Sequence, residues 1–224
     1  MGVVLYTYDW LPEFPRGFVR DLRIRWVLEE IGRAYEVATV PASPKTMAHR
    51  AMQPFAQVPI VKDGGLTLFE SGAILLHLAE GTPLLPAGRR AEVTQWLIAA
   101  LNSVENATSA WVNMLLAARM PEFFGPPSSP EVVEHARRHM ERRLDALETL
   151  MRGRDWIAGA FSVADIMMVD VLRVPRAEGQ LEDHPALLDY VARATSRPAF
   201  AKAMADHMAH WQAADEDRGM SRSA

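Results

Sequence analysis

Two short stretches combine residue types that can do chemistry. In Gln57-Val58-Pro59-Ile60 a proline interrupts a strand-like run. Proline has no amide hydrogen and belongs at a strand start, an edge or a bend. Two geometries are open there: an ordinary trans bond at a strand start, or a cis bond, which is accessible to X-Pro pairs and rare elsewhere. The cis form turns the amide and carbonyl of Val58 outward, where they can pair with an extended ligand. In Phe69-Glu70-Ser71-Gly72-Ala73 a strand hands over to a helix. The Ser71 hydroxyl there either caps free amides or meets a ligand carboxylate. Amides at the helix start add a partial positive field, and Glu70 can accept a hydrogen bond from an ammonium group. As a pair, Glu70 and Ser71 suit the two charged ends of an amino-acid moiety.

A third signal is Ser162-Val163-Ala164-Asp165, a serine followed three residues later by an acid. Reciprocal hydrogen bonds of that spacing satisfy amides at a buried helix start, so Ser162 and Asp165 are assigned to folding rather than chemistry. His135 with His139, and His207 with His210, have spacings compatible with a metal. Neither pair has a suitable third ligand nearby, and no metal is expected.

Composition narrows the classes. The chain has 224 residues, 49% hydrophobic and 23% charged, which suits a globular protein. Lys+Arg 24 against Asp+Glu 28 gives −4, so non-specific nucleic-acid binding is poorly motivated. The chain has no cysteine, which excludes disulfides, thiolate metal sites and cysteine nucleophiles. No apolar run approaches the roughly 20 residues of a membrane helix. The start has no basic region before an apolar one, so Val3 to Tyr8 is expected as a strand rather than a targeting signal. A cytoplasmic protein is the natural expectation.

The elements that must position these residues change character near residue 88. Before it, the pattern predicts strand, helix, strand, helix, strand, strand, helix. The strands are Val3–Tyr8, Tyr35–Val40, Val58–Lys62 and Leu66–Phe69; the helices begin near Phe18, Lys45 and Ser71. Val19, Leu22, Trp26 and Val27 mark the apolar stripe of the first helix, with Arg20, Arg23, Glu29 and Glu30 mostly outside it. Gly32 is expected to end it. After Arg89 the pattern is helical: one long helix from Val93 through Trp111 and Leu115, another over 132–150, and three more over 162–173, 185–195 and 198–211. The expected division is an α/β domain over 1–82, a linker over 83–89, an all-helical domain over 90–214 and a fraying tail over 215–224.

In order and spacing, these features resemble a glutathione S-transferase of the cytosolic, bacterial-like type over nearly the whole chain. The resemblance rests on Trp26-Val27-Leu28-Glu29-Glu30-Ile31-Gly32, on Gln53-Pro54-Phe55 before Gln57-Val58-Pro59, on Glu70-Ser71, and on residues 156–165, Trp-Ile-Ala-Gly-Ala-Phe-Ser-Val-Ala-Asp. It implies a thioredoxin-like N-terminal domain followed by a helical-bundle C-terminal domain. It further implies a homodimer that binds reduced glutathione on the first domain and a small hydrophobic electrophile between the domains. Pro59 then matches a cis proline exposing Val58 to the cysteinyl part of glutathione. Glu70 and Ser71 match the pair holding the γ-glutamyl group, with Gln57 beside them. Lys45 and His49 are candidates for the glycyl carboxylate, and Trp10 for a wall of the glutathione or acceptor site.

Family members activate the thiol with a tyrosine, serine or cysteine near the first strand's end or the first helix's start. This chain has Phe18-Val19-Arg20-Asp21 at that helix start, so the candidates are Tyr8, with Tyr6 as runner-up on the same strand face, and the cation of Arg20, assisted by Arg16. Either a hydroxyl donor or a positive group favours thiolate over a thiol of ordinary pKa about 8.5. Trp111, Met114 and Leu115 are the expected acceptor-pocket residues, unless they are core, and Phe123-Phe124 lies in a loop placed to cover it. Thiol conjugation is the expected activity. The alternatives are a glutathione-dependent isomerase or dehalogenase, or a non-catalytic glutathione-binding or protein-interaction member.

Overall fold

The computed structural model describes residues 2–219. β1 (Val3–Tyr8) leads through a loop and a short 3-10 turn at Arg16–Phe18 into α1 (Asp21–Glu30). Then follow β2 (Tyr35–Val40), α2 (Met47–Met52), β3 (Ile60–Asp63), β4 (Leu66–Phe69) and α3 (Ser71–Leu78). The sheet order is β2-β1-β3-β4, with β1 parallel to β2 and the other pairs antiparallel. This is the thioredoxin-like arrangement of a βαβ crossover joined to a hairpin. The hairpin turns on Gly64-Gly65, and Gly64 takes φ 59°.

Local chemistry accounts for these elements. Alternation along β1 buries Val3, Leu5 and Thr7 and leaves Val4, Tyr6 and Tyr8 half-buried, so both tyrosines share one face. Gly32, at φ 64°, ends α1 as expected: its amide reaches Glu29 O and the Arg33 amide reaches Leu28 O, the paired bonds of a Schellman cap. Thr46 starts α2 by accepting the His49 amide at 3.1 Å.

The chain divides into two compact units, and the division differs from the expected 1–82, 83–89, 90–214 and 215–224. One unit joins the chain up to Pro83 with the segment from Ser196 onward; the other is Leu84–Thr195. The reason is α10 (Pro198–Asp217), which packs along α1. Phe200 meets Trp26 edge to face at 4.8 Å, and Ala203, His207 and Trp211 are buried. With the sheet on one side and α10 on the other, α1 is buried nearly all round, including Asp21, Arg23 and Arg25. The expected tail is therefore partly built in: α10 reaches Asp217 and Asp215 is ion-paired, while 220–224 fall outside the described residues.

The second unit is helical. α4 (Arg90–Ala99) runs through a π-helical stretch at Ala100–Glu105 into α5 (Asn106–Arg119). The short α6 (Pro121–Phe124), α7 (Pro130–Met151), α8 (Val163–Ala177) and α9 (Pro185–Thr195) complete it. α8 is buried from Val163 to Leu172, and the two acids in that span are partnered, Asp170 by Arg173 at 2.7 Å and Asp165 at the helix start. At its start Asp165 Oδ2 accepts the Ser162 amide at 2.9 Å and the Ser162 hydroxyl at 3.0 Å. Oδ1 accepts the Ile157 amide at 2.9 Å and the Tyr190 hydroxyl at 2.7 Å. Burial pushes the Asp165 carboxyl above its ordinary pKa, opposed by these donors.

Candidate active site

Tyr6 of β1 pairs with Ile60 of β3, and Ile60 pairs with Phe69 of β4. Continuing that register by two residues brings the end of β1 at Tyr8, the approach to β3 at Val58-Pro59, and the β4–α3 junction at Glu70-Ser71 to one end of the sheet. The Val58–Pro59 bond is cis. Val58 is half-buried, Pro59 is buried and Gln57 is exposed.

At the β4–α3 junction, Glu70 has φ 68° and ψ 113°, a region that costs a non-glycine residue on the order of 1–3 kcal/mol. Strain of this kind concentrates at functional sites. Glu70 occupies the N-cap position, and its side chain makes no capping hydrogen bond to the first amides of α3. Ser71 therefore does not cap the helix. It is buried, and its Oγ accepts a hydrogen bond from Arg23 Nη1 at 3.1 Å. Arginine cannot accept, so the Ser71 oxygen is the acceptor and its own hydrogen is left to donate. Arg23 is only 2% exposed and was not singled out in the sequence. The expectation set Arg23 outside the apolar stripe of α1, but four residues after Val19 and four before Val27 it lies on that stripe and is buried.

The same relationship recurs at the end of β1. Lys45 Nζ, on the turn between β2 and α2, donates to Tyr8 Oη at 3.0 Å and lies 4.2 Å from the ring centre. His49 stands edge-on to the ring at 6.4 Å. His210 of α10 donates from Nε2 to the Tyr8 carbonyl at 2.9 Å; burial holds its pKa below the ordinary imidazole value.

Other expected residues are placed differently. His49 is fully buried and its Nε2 meets the Gln57 carbonyl at 3.0 Å, so it shapes the loop before Val58 instead of facing a carboxylate. Trp10 donates from its indole nitrogen to Asp215 at 2.8 Å. Arg16 is buried and bound through two nitrogens to the same carboxylate, each at 2.6 Å. The Asp215 carboxylate thus balances the charge of Arg16. Tyr6 lies under Lys62, whose Nζ is 5.2 Å from the ring centre. Arg20 is exposed at the start of α1. In the helical unit Trp111 is buried at 3% exposure, while Met114 and Leu115 are half-buried on α5. Phe123 and Phe124 are exposed on the short helix α6 rather than on a loop. His135, His139, His207 and His210 take part in no cluster of three or more metal-ligating residues among the described residues.

Comparison with known proteins decides the family. Residues 14–80 match the model of the glutathione S-transferase N-terminal domain, and residues 111–198 that of the C-terminal domain. The chain is 32% identical to glutathione S-transferase 3 of Zea mays over 201 residues, covering 82% of this chain and 88% of that protein. The chain belongs to the glutathione S-transferase family.

Solved transferase structures share its fold. A glutathione S-transferase from Pseudomonas fluorescens superposes with TM-score 0.73 at 24% identity, over 89% of this chain and 97% of that one. Glutathione S-transferase-I, bound with lactoylglutathione, superposes with TM-score 0.72 at 25% identity, over 92% and 99%. The matched proteins come from plants and bacteria alike. Within this transferase the N-terminal match takes in Arg23, Lys45, Val58-Pro59 and Glu70-Ser71, and begins after Tyr8 and Trp10. The case for Tyr8 therefore rests on geometry. No helix among the described residues is long and apolar enough to cross a membrane.

Proposed function

We propose that this transferase binds reduced glutathione at the sheet end and activates its thiol for attack on a small hydrophobic electrophile. The observation that carries the reading is the β4–α3 junction, where a strained glutamate precedes a serine whose hydroxyl oxygen accepts from a buried arginine, leaving its hydrogen to donate. A γ-glutamyl group fits it by charge. Glu70 takes the α-ammonium, while the Ser71 hydroxyl and the first amides of α3 take the α-carboxylate. The cysteinyl backbone pairs with Val58 beside Pro59, and Gln57 adds a side-chain contact.

Sulfur then comes to Tyr8, whose hydroxyl hydrogen stabilises the thiolate. Arg20, exposed at the start of α1, is the second source of positive field. The thiolate attacks an electrophilic carbon, forming the carbon–sulfur bond as the leaving group departs with its electron pair. Met114 and Leu115 are the residues proposed to touch the electrophile. The protein is proposed to be a cytoplasmic homodimer needing no metal.

A non-catalytic glutathione-binding member is the second reading, favoured by Phe18-Val19-Arg20-Asp21 at the start of α1, which has neither serine nor cysteine. Isomerase or dehalogenase activity would use the same thiolate. Isothermal titration with reduced glutathione, followed by turnover of a chlorodinitrobenzene, tests these readings. Binding with a lowered thiol pKa and turnover is expected. Binding with an ordinary thiol pKa selects the non-catalytic reading, and no binding at millimolar glutathione by folded protein refutes both.

A further inference from the structure

We propose that Lys45 is a positioning residue that acts through Tyr8, holding the phenol so that its hydrogen is presented to the glutathione sulfur. The inference rests on glutathione binding at the sheet end, and it gives Lys45 a different task from gripping the glycyl carboxylate.

A phenol oxygen accepts and donates, and the direction of its hydrogen is set by its partners. The Lys45 ammonium can only donate. At 3.0 Å from Oη it occupies an acceptor position, and the Tyr8 hydrogen must turn elsewhere. The tyrosine has little other freedom. Its carbonyl is held by His210, its ring edge by His49, and its backbone by the ladder to Val40. His49 is itself fixed by the Gln57 carbonyl, on the segment that leads to Val58. The side chain that would meet the sulfur and the backbone that would meet the cysteine are thus tied through one histidine.

Lys45 is placed by the chain as firmly as Tyr8. It follows the turn after β2, two residues before α2 begins and one before its cap, Thr46. Its ammonium also lies 4.2 Å from the Tyr8 ring centre, where the ring's negative face adds attraction. The ammonium itself places positive charge 3.0 Å from the phenol oxygen. That charge strengthens the hydroxyl as a donor to an anion, since hydrogen bonds polarise one another in sequence. Tyr6 has a comparable neighbour in Lys62, but only over its ring and with no hydrogen bond between them among the described residues. This difference distinguishes the two tyrosines, which alternation in the strand could not.

The test is the pKa of the bound glutathione thiol, followed by thiolate absorbance, together with glutathione affinity. Wild type, Lys45→Met, Lys45→Gln, Lys45→Arg, Tyr8→Phe and the double variant Tyr8→Phe/Lys45→Met are compared. Lys45→Met should raise the thiol pKa by about one unit, roughly tenfold less thiolate below that pKa, while glutathione Kd, measured below the wild-type thiol pKa where the bound sulfur stays protonated, changes by less than about threefold. Lys45→Arg should keep most of the shift, and Lys45→Gln serves if the methionine variant does not fold. In the Tyr8→Phe background the same change should add little, because the effect passes through the phenol. An unchanged thiol pKa with affinity about tenfold weaker would overturn the proposal and return Lys45 to the carboxylate. An equal shift with and without the Tyr8 hydroxyl would overturn it in favour of a bare charge effect. Wild-type protein that fails to bind glutathione would remove the parent reading first, and this inference with it.

Discussion

Arg23 Nη1 donates to Ser71 Oγ at 3.1 Å, with both residues buried. A cation placed behind a hydroxyl aligns that hydroxyl as a donor, and a hydrogen bond from it to a carboxylate is worth about 1.5–3 kcal/mol. Ser71→Ala should therefore weaken glutathione binding by on the order of tenfold to a hundredfold, measured by calorimetry. Loss below twofold would show that the γ-glutamyl carboxylate is held elsewhere.

Glu70 combines a ligand role with unfavourable backbone geometry, φ 68°. Glycine, with no Cβ, adopts a positive φ at lower cost. Glu70→Gly should raise stability to denaturant by about 1 kcal/mol, the released strain less the added chain entropy, and should lower glutathione affinity in the same protein. A variant that loses both stability and affinity would contradict the assignment of strain.

The Arg16–Asp215 pair titrates in acid. Its hydrogen bonds, first from Arg16 and then from Trp10, hold the Asp215 carboxyl down at about 2 against an ordinary 3.8. A depressed carboxylate contributes stability above its unfolded pKa and loses it as pH falls through the folded one. The end of α10 should thus be fully clasped above pH 3.8 and released progressively towards pH 2. Hydrogen exchange of α10 amides should follow that window. In Asp215→Asn, protection should be weaker at neutral pH and flat through the acid range.

Asp165 satisfies four donors from a buried position. Asp165→Ala strands them, and each stranded group costs about 1–3 kcal/mol. The expected loss is at least about 3 kcal/mol, seen in urea unfolding of the helical unit. Tyr190→Phe removes one donor and leaves one oxygen less satisfied, so about 1 kcal/mol is expected. Comparable losses from the two variants would show that the amides at 157 and 162 find other partners.

Trp211 is fully buried on α10, edge-on to His210 at 4.6 Å. Trp211→Ala should cost about 3–5 kcal/mol in the sheet-containing unit and loosen the His210 contact to the Tyr8 carbonyl. Tryptophan fluorescence on thermal unfolding would report the first effect, and the bound thiol pKa the second.

Much of the architecture was legible in the chain. Alternation in β1, glycines at the Gly32 cap and the Gly64 turn, and the Ser162–Asp165 spacing each reflect forces acting within a few residues. Local sequence therefore specified the order of strands and helices, the buried cap of α8 and the candidate segments Val58-Pro59 and Glu70-Ser71. The partners of those segments were another matter. Arg23 reads as an ordinary surface cation until the chain brings Ser71 to it from 48 residues away, and Asp21 reads as a surface acid until α10 brings His207 to it from 186 residues later. The same long closure ties Trp10 and Arg16 to Asp215, and it sets the boundary of the units at Ser196 instead of 214. His49 and Lys45 have equally plausible polar chemistry as sequence, and only packing buries one beneath the loop and aims the other at a phenol. Periodicity reports which residues want to leave water, a property of each side chain; which hydroxyl a cation finds depends on distances between elements, and those exist only after the chain has closed on itself.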